Sequence, residues 1–423
     1  MDMTHQDADS APAKPESRGP ALAVIALLIA MWGFAQWDFT NVLYKLTAYF
    51  TLNQAELDRI PAVLNVTYFL VAIPAAMFHR RFGYKLGIIV GLSVSSFGPF
   101  LLYPAMAHHD YVFFATSVMV MTIGWPFLET CLNPLATELG SPETAVRRLT
   151  LVQSCYPVGM VIGVFIARWL LQFDLKPSAL GLAEATARPF VIVGIAVLLL
   201  ALGIDKVRFP AVASEKNMGS MRDELRALLL RKEILIGLAT IFCCQLAQAT
   251  TWGSLMYYAP EEIRGTQTSF GVDMLLICGI LAGIGRFTGA ALMRRIDPAA
   301  LLGIAMLVGI MLIVSSATLG GTTGFALLVA TSLFMAIAYP IIFGTVIRDL
   351  GPLRKTASGL LVTAAGMGSA FELLVVNTLR GTVPIRYVIL CVVPCFAIVA
   401  IFAALRQRVP GLAPGKQALG VSG

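Results

Sequence analysis

The sequence predicts an all-α membrane protein in which twelve transmembrane helices form two bundles of six. Hydrophobic residues make up 57% of the 423 residues and charged residues only 13%, which leaves more apolar surface than a soluble globule can bury. The apolar residues fall into twelve runs, each close to the ~20 residues that cross the hydrocarbon core of a bilayer. One longer polar stretch, 206–231, separates the first six runs from the last six.

The predicted spans are numbered in chain order and are separated by short polar connections. Their extents are 20–48, 59–79, 84–107, 111–138, 147–172, 188–205, 232–258, 269–293, 298–318, 322–347, 355–379 and 384–405. The first bundle is therefore predicted at 20–205, the second at 232–405 and a cytoplasmic linker at 206–231. The polar end segments 1–19 and 406–423 are predicted to be disordered cytoplasmic tails.

The positions of the basic residues predict the orientation in the membrane. Of the 31 Lys and Arg residues, 22 lie in loops on one side, 6 lie on the other side and three lie within spans. The positive-inside rule places the richer side, with both termini, in the cytoplasm. The net charge of +7 is thus interpreted as a topology signal and not as a nucleic-acid surface.

The cysteines and histidines give no sign of a metal site or of a catalytic site. The seven cysteines are odd in number, lie in apolar runs and lack metal-ligand spacing, so they are interpreted as core residues. No zinc-protease, nucleophile-elbow or phosphate-loop motif occurs in the sequence. The sequence therefore predicts no enzyme, no metal and no cofactor.

Two short segments recur at similar offsets in the two halves. The segment 75–81 (AAMFHRR) resembles 289–295 (GAALMRR) at an offset of 214 residues, and 138–140 (ELG) resembles 349–351 (DLG) at an offset of 211. This agreement favours a duplicated six-helix unit, although basic turns also recur as generic loop ends. Four arginines in the basic loops are expected to take part in gating: Arg80, Arg81, Arg294 and Arg295.

Glu129 is the acid that matters most in the pattern of spans. The eighteen residues before it in span 4 contain no Asp, Glu, Lys or Arg. Because an ionised carboxyl in hydrocarbon costs several kcal/mol, we expect Glu129 to line a polar cavity and to take up a proton. Asn133 follows one helical turn later, and Pro134 frees a backbone carbonyl beside it. The alternative is a structural acid that bonds to a neighbouring helix.

Span 1 carries a second polar group. Asp38, Asn41 and Lys45 lie on one helical face, and Trp37 lies on an adjoining face. An acid, an amide and an indole together are suited to binding a polyol, because the ring covers C–H groups while the polar groups bind hydroxyls. The alternative is an Asp38 that is paired with Lys45 or Arg59 or is hydrated at the outer interface.

Other amides and aromatic residues stand inside apolar spans. Those of spans 5, 7 and 10 are Gln153, Tyr156, Gln245, Gln248, Trp252 and Tyr339. They add hydrogen-bonding groups without adding charge, which favours a neutral, hydroxyl-rich solute. Individually, each is equally well explained as a contact between helices.

Two more acids occur in the second half. Glu372 in span 11 has apolar residues on both sides and is a candidate second proton site. The alternative is a pair with Arg380, two turns further along the span. Asp273, near the start of span 8, is a weaker candidate.

Several motifs resemble those of one transporter family. They are 80–85 (RRFGYK), 129–134 (ETCLNP), 148–153 (RLTLVQ), Gln248 with Trp252, 285–289 (GRFTG) and 339–343 (YPIIF). With these motifs the chain resembles the fucose-galactose-hexose proton symporter branch of the major facilitator superfamily. The resemblance implies alternating access, a sugar bound at the midplane between two bundles, and acids in helices 1 and 4 that carry the proton.

Glu129 aligns position for position with the helix 4 acid of the resembled family. Span 1 does not align in this way. There the Asn-Asp pair of the family falls on Phe39 and Thr40, and Asp38 lies two residues earlier, about 200° around the helix. Either the register of span 1 differs locally, or Asp38 has another role and coupling rests on Glu129. Tyr156 stands where an amide is expected in the L-fucose carriers of the family.

The function expected from the sequence is proton-coupled import of a neutral sugar or sugar-like polyol by a monomeric carrier in the lipid bilayer. A facilitator or exporter of another small organic solute on the same fold is the alternative. A non-transporting sensor or an intramembrane enzyme is disfavoured, because the sequence has no catalytic constellation and no substantial soluble domain.

Overall fold

A computed structural model describes residues 18–49, 54–108, 110–172, 179–207, 209, 220–266 and 268–407. Side chains are described throughout these ranges except at 18, 37–49, 54–59, 61, 167–172, 179–189, 268–269 and 271–272. The described residues form helices and connecting turns, with no strand among them. The three candidate residues Trp37, Asp38 and Asn41 therefore lie outside the described side chains.

Fifteen α-helices occur in the described ranges. The first half contains α1 (Arg18–Tyr49), α2 (Gln54–Ala107), α3 (Tyr111–Glu138), α4 (Ala145–Gln153), α5 (Cys155–Gln172) and α6 (Ala179–Ile204). The linker contains α7 (Met221–Leu229). The second half contains α8 (Lys232–Glu262), α9 (Thr268–Leu292), α10 (Pro298–Leu319), α11 (Gly321–Met335), α12 (Ala338–Ile347), α13 (Arg354–Leu379), α14 (Ile385–Val388) and α15 (Val393–Gln407).

Within the described residues these helices make twelve passes, six in each half. Helix α2 makes two of them, because Gly83 adopts a φ of 83° that turns the chain between the passes. The pairs α4 with α5, α11 with α12, and α14 with α15 each make one interrupted pass. The predicted all-α class and the predicted number of spans are confirmed.

Glycines allow close approach of helices within each half. A Cβ atom on Gly159 of α5 would clash with the carbonyl oxygen of Ala30 in α1. A Cβ atom on Gly285 of α9 would clash with the carbonyl oxygen of Leu333 in α11. A larger residue at either position would force the helices apart, since interhelical contact in a membrane depends on small residues that let backbones approach.

The two halves pack against each other through α2 with α13, α4 with α12, and α5 with α9. We call the end of the molecule that carries α7 the linker end. There the Arg354 guanidinium lies 3.3 Å from a carboxylate oxygen of Glu138 in the other half. Nearby, the Ser358 hydroxyl donates to the carbonyl oxygen of Thr130 across 3.1 Å. The linker end is closed in this structure.

Helix α7 packs on this closed end and contacts both halves. One carboxylate oxygen of Glu224 lies 2.7 Å from Nη2 of Arg80 in the first half. The other accepts a 2.7 Å hydrogen bond from the Thr356 hydroxyl in the second half. Leu228 of the same helix is fully buried. The linker therefore bridges the two halves through one side chain.

Candidate functional site

A polar cavity of about 220 Å³ lies between the two halves. A single water needs about 10–15 Å³ on the same measure, so the cavity is large enough for a small organic solute. Both halves contribute side chains to its wall. The lining residues are Trp32, Gln36, Asn65, Tyr68, Glu129, Gln153, Tyr156, Gln245, Gln248, Ala249, Trp252, Arg286, Tyr339, Ala365, Gly366 and Ser369.

Glu129 lines this cavity, as the sequence predicts, and is only 5% exposed. One of its carboxylate oxygens accepts a hydrogen bond from the Tyr68 hydroxyl on α2. The other accepts a hydrogen bond from the Tyr339 hydroxyl on α12. The acid is therefore held between a donor from its own half and a donor from the opposite half.

Gln153 and Asn133 form a pair of which only one member reaches the cavity. The Gln153 amide donates to the side-chain oxygen of Asn133. Asn133 is fully buried behind the wall, whereas Gln153 lines it. Asn133 therefore supports Gln153 and does not itself line the cavity.

Arg286 is a buried cation in the cavity wall, 7% exposed. Its Nε donates to the Ala336 carbonyl at 3.0 Å, and its Nη1 donates to the Gln153 carbonyl at 2.8 Å. The guanidinium carbon also lies 5.9 Å from the centre of the Tyr156 ring, within the range of a cation–π contact. This side chain therefore joins the two halves at the cavity.

Aromatic rings form much of the remaining wall. Trp32 and Tyr156 meet edge to face with ring centres 5.0 Å apart. The Tyr156 hydroxyl donates to the Gln36 side chain at 2.8 Å. Across the cavity, the Trp252 indole N–H donates to the Ser332 hydroxyl at 3.1 Å. These bonds fix the orientation of the rings against which a solute would lie.

The structure brings together most of the candidates that the sequence singled out in spans 4, 5, 7 and 10. Besides the small residues Ala249, Ala365 and Gly366, the cavity residues that the sequence analysis did not assign are Trp32, Gln36, Asn65, Tyr68, Arg286 and Ser369. All six are polar or aromatic residues inside apolar runs. The same criterion that selected Gln245 and Gln248 could have found them, but it also selects contacts between helices.

Glu372 lies apart from the cavity wall. It is 8% exposed and is directed toward Gly253 of α8, where an added Cβ would clash with its carboxylate. Arg380 packs on the Tyr257 ring at 4.1 Å, and no ion pair joins it to Glu372 among the described residues. Asp273 is exposed.

The four basic loop residues differ in their contacts. Arg80 bonds to the linker through Glu224, and Arg81 is exposed over the ring of Phe82 at 5.3 Å. Arg294 and Arg295 are both exposed. In the described part of the chain, no cluster of three His, Cys, Asp or Glu residues has the geometry of a metal site.

Twelve passes in two halves around one polar cavity with a buried carboxyl define a membrane transporter of the two-bundle class. The chain belongs to the Major Facilitator Superfamily, whose profile matches residues 22–372.

Two relatives and one solved structure are similar along nearly the whole chain. The L-fucose-proton symporter of Escherichia coli K12 is 30% identical over 91% of this chain and 93% of its own. The glucose/galactose transporter of Brucella abortus is 28% identical over 92% of this chain and 95% of its own. The crystal structure of the FucP transporter in the outward conformation has a TM-score of 0.85 and 28% identity, covering 93% of this chain and 100% of that chain. These relatives are transporters and not enzymes.

Proposed function

We propose that this protein is a symporter that uses a proton gradient to import a neutral sugar or a sugar-like polyol. The observation that carries the proposal is the position of Glu129, which is the only carboxyl among the described residues that line the cavity and is bonded by both halves. The names of the relatives, an L-fucose-proton symporter and a glucose/galactose transporter, support the same class of solute.

The remaining cavity chemistry is suited to a hydroxyl-rich solute. Side-chain amides from both halves offer donors and acceptors, and indole and phenol rings offer flat apolar faces. Sugar sites commonly combine these two elements, since rings stack on C–H faces while amides bind hydroxyls. The residues that we propose to bind the solute are Gln153, Tyr156, Gln245, Gln248, Trp252 and Tyr339, with Asn133 positioning Gln153.

The proposed cycle begins with protonation of Glu129 from the outer side. The solute then binds between the halves, and rocking of the halves exposes both to the cytoplasm, where the proton leaves. Asp38 and Glu372 are further candidates for proton coupling. Glu372 would act from behind the wall, because it does not line the cavity.

We further propose the arrangement in the membrane that the basic residues favour. Both termini and the linker lie on the cytoplasmic side of a bacterial inner membrane. The carrier acts as a monomer. The ion pair of Arg80 with Glu224 supports a gating role for that basic loop, because it joins the loop to the linker at the closed linker end.

Transport into proteoliposomes with an imposed pH gradient tests the proposal. Candidate sugars are first ranked by their thermal stabilisation of the purified protein, since a ligand that binds the folded state raises its melting temperature. The wild type should accumulate the selected sugar when the outside is acidic. Glu129→Gln should exchange that sugar across the membrane without concentrating it. Equal gradient-driven accumulation by the variant would remove the proposed role of Glu129.

A facilitator of the same class of solute is the second candidate function. Phe39 and Thr40 favour it, since they stand where the resembled family has an Asn-Asp pair. A facilitator would equilibrate the sugar at the same rate with and without a pH gradient and would never accumulate it.

A further inference from the structure

Three of the helix prolines of this protein each leave one backbone carbonyl without its usual helical donor. A proline at position i cannot donate to the carbonyl at i−4. Pro134, Pro157 and Pro340 therefore free the carbonyls of Thr130, Gln153 and Ala336. Buried carbonyls of this kind are normally satisfied by another donor.

In each case the replacement donor comes from a side chain of the second half. The Ser358 hydroxyl donates to Thr130 at 3.1 Å. Arg286 donates to both Gln153 and Ala336, at 2.8 and 3.0 Å. The first half thus exposes two acceptors at proline positions, and the second half supplies a donor to each.

The two bonds of Arg286 are not equivalent. Its carrier helix α9 and the Ala336 carbonyl belong to the same half, so that bond holds the guanidinium in place. The Gln153 carbonyl belongs to the opposite half, so the second bond crosses the interface. Both acceptors lie at breaks in the helices, where α4 ends and where α11 ends. One planar cation therefore joins two helix breaks.

The surroundings of Arg286 support this geometry. Gly283 of α9 lies against Pro157 of α5, with 3.4 Å between an added Cβ and the proline side chain. Gly285 brings the α9 backbone closer still to α11, since an added Cβ there would clash with the Leu333 carbonyl oxygen. Small residues on both sides of Arg286 thus bring its helix within reach of both breaks. A lysine would not reproduce both bonds, because its three N–H donors lie on one compact nitrogen, whereas the guanidinium spreads its donors over a rigid planar fork.

We propose that Arg286 is a clasp that joins the two proline breaks while the linker end is closed, and that it releases Gln153 when the linker end opens. Arg286 is in this sense a positioning residue of the transport cycle. Its bond to Gln153 favours the closed linker end, and that bond and the contact with Tyr156 order the cavity wall in that state. The proposal rests only on alternating access, and not on the identity of the solute or on the proton.

Hydrogen–deuterium exchange of the purified carrier in lipid nanodiscs, without solute or gradient, tests the clasp. The test variant is Arg286→Lys, which keeps the charge. Ser358→Ala removes the neutral bond to Thr130, and Arg264→Lys, at an exposed arginine, is the matched control.

Arg286→Lys should speed exchange about tenfold in peptides at the linker end, over 134–144 and 347–358, since bonds to a charged donor are among the stronger ones. Peptides at the opposite end, over 380–390, should exchange no faster than in the wild type. Ser358→Ala should act on the same linker-end peptides to a smaller extent, and Arg264→Lys should change none.

Two results would overturn the proposal. If the linker-end peptides of Arg286→Lys exchanged at the wild-type rate, the bond to Gln153 would not stabilise the closed linker end. Faster exchange at both ends alike would show a general role in stability and not a clasp. Because no solute is used, either result is distinguishable from a failure of proton-coupled sugar transport.

Discussion

The Tyr339 hydroxyl on α12 donates a hydrogen bond to the Glu129 carboxylate on α3, and this bond crosses from the second half to the first. The other carboxylate oxygen accepts from Tyr68, which lies in the same half as Glu129. A proton on Glu129 would weaken its capacity to accept these bonds, since a neutral carboxyl is a poorer acceptor than a carboxylate. Proton uptake would therefore loosen one contact between the halves.

Removing the Tyr339 hydroxyl should separate proton uptake from movement of the halves. In Tyr339→Phe the ring remains and the bond across the interface is lost. The rate of gradient-driven sugar uptake should fall by about tenfold, which corresponds to the free energy that a hydrogen bond to a charged group contributes. Initial uptake rates in proteoliposomes measure this effect. Tyr68→Phe is the matched control, because it removes an equivalent bond within one half, and its loss should be smaller. Equal losses in the two variants would contradict a special role for the bond across the interface.

The positions of the helices and of the key acid follow from local sequence. Long apolar runs predict the spans because a chain segment that crosses hydrocarbon must satisfy its backbone hydrogen bonds internally, as an α-helix does. Glu129 is conspicuous because its neighbours before it in span 4 carry no charge. The freed carbonyl predicted at Pro134 is also confirmed, as Ser358 donates to Thr130.

The partners of these residues could not be predicted in the same way. Tyr68 is 61 residues and Tyr339 is 210 residues from Glu129, and Arg286 is 133 residues from Gln153. Such contacts depend on how two halves pack, and no periodicity within one span encodes that packing. The sequence could not show for the same reason that Asn133 lies behind the cavity wall. Whether its side chain faces the cavity or faces α4 depends on the packing of the neighbouring helix.

The pairing of Asn133 with Gln153 predicts a defect in affinity without a defect in coupling. Asn133→Leu removes the acceptor for the Gln153 amide and leaves the Glu129 carboxyl untouched. The concentration of sugar at half-maximal uptake should rise by roughly tenfold, because Gln153 loses its fixed orientation. The final accumulation ratio at saturating sugar should stay at the wild-type value. Thr137→Val, one turn further along α3, removes only a bond within the helix and serves as the control.

A change in the accumulation ratio of Asn133→Leu would place Asn133 in proton coupling instead. An unchanged half-maximal concentration would show that Gln153 does not need its partner.

The ion pair of Arg354 with Glu138 predicts that the closed linker end depends on charge. Glu138→Gln keeps the shape but loses the pair, whose side chains are 22% and 12% exposed. Since partly exposed pairs contribute ~1 kcal/mol or less, the open linker end should gain only about two- to fivefold in population. Sugar affinity measured separately from the two faces of oriented vesicles should shift in favour of the linker face.

The matched control for that change is Asp349→Asn. Asp349 also pairs with an arginine, Arg348, but it is 82% exposed and both residues belong to one half. Its removal should leave both affinities unchanged. A shift of the same size in Asp349→Asn would show that net charge at the linker end, and not the pair between the halves, sets the balance.

Glu224 predicts that the linker is part of the gate and not a passive tether. Its two carboxylate oxygens bond to Arg80 in one half and to Thr356 in the other, each at 2.7 Å, so the halves cannot separate at this end without breaking one bond. Glu224→Gln keeps the volume and one acceptor but loses the charge, and should lengthen the mean distance between spin labels at Glu143 and Asp349 in a cysteine-free background. The population with an open linker end should rise severalfold, as expected for the loss of a partly buried hydrogen bond to a charged group.

Asp223→Asn, an exposed neighbour on the same helix, should leave the distance distribution unchanged. If Glu224→Gln gave the wild-type distribution while Glu138→Gln shifted it, closure would depend on the bundles alone and the linker would have no part in it.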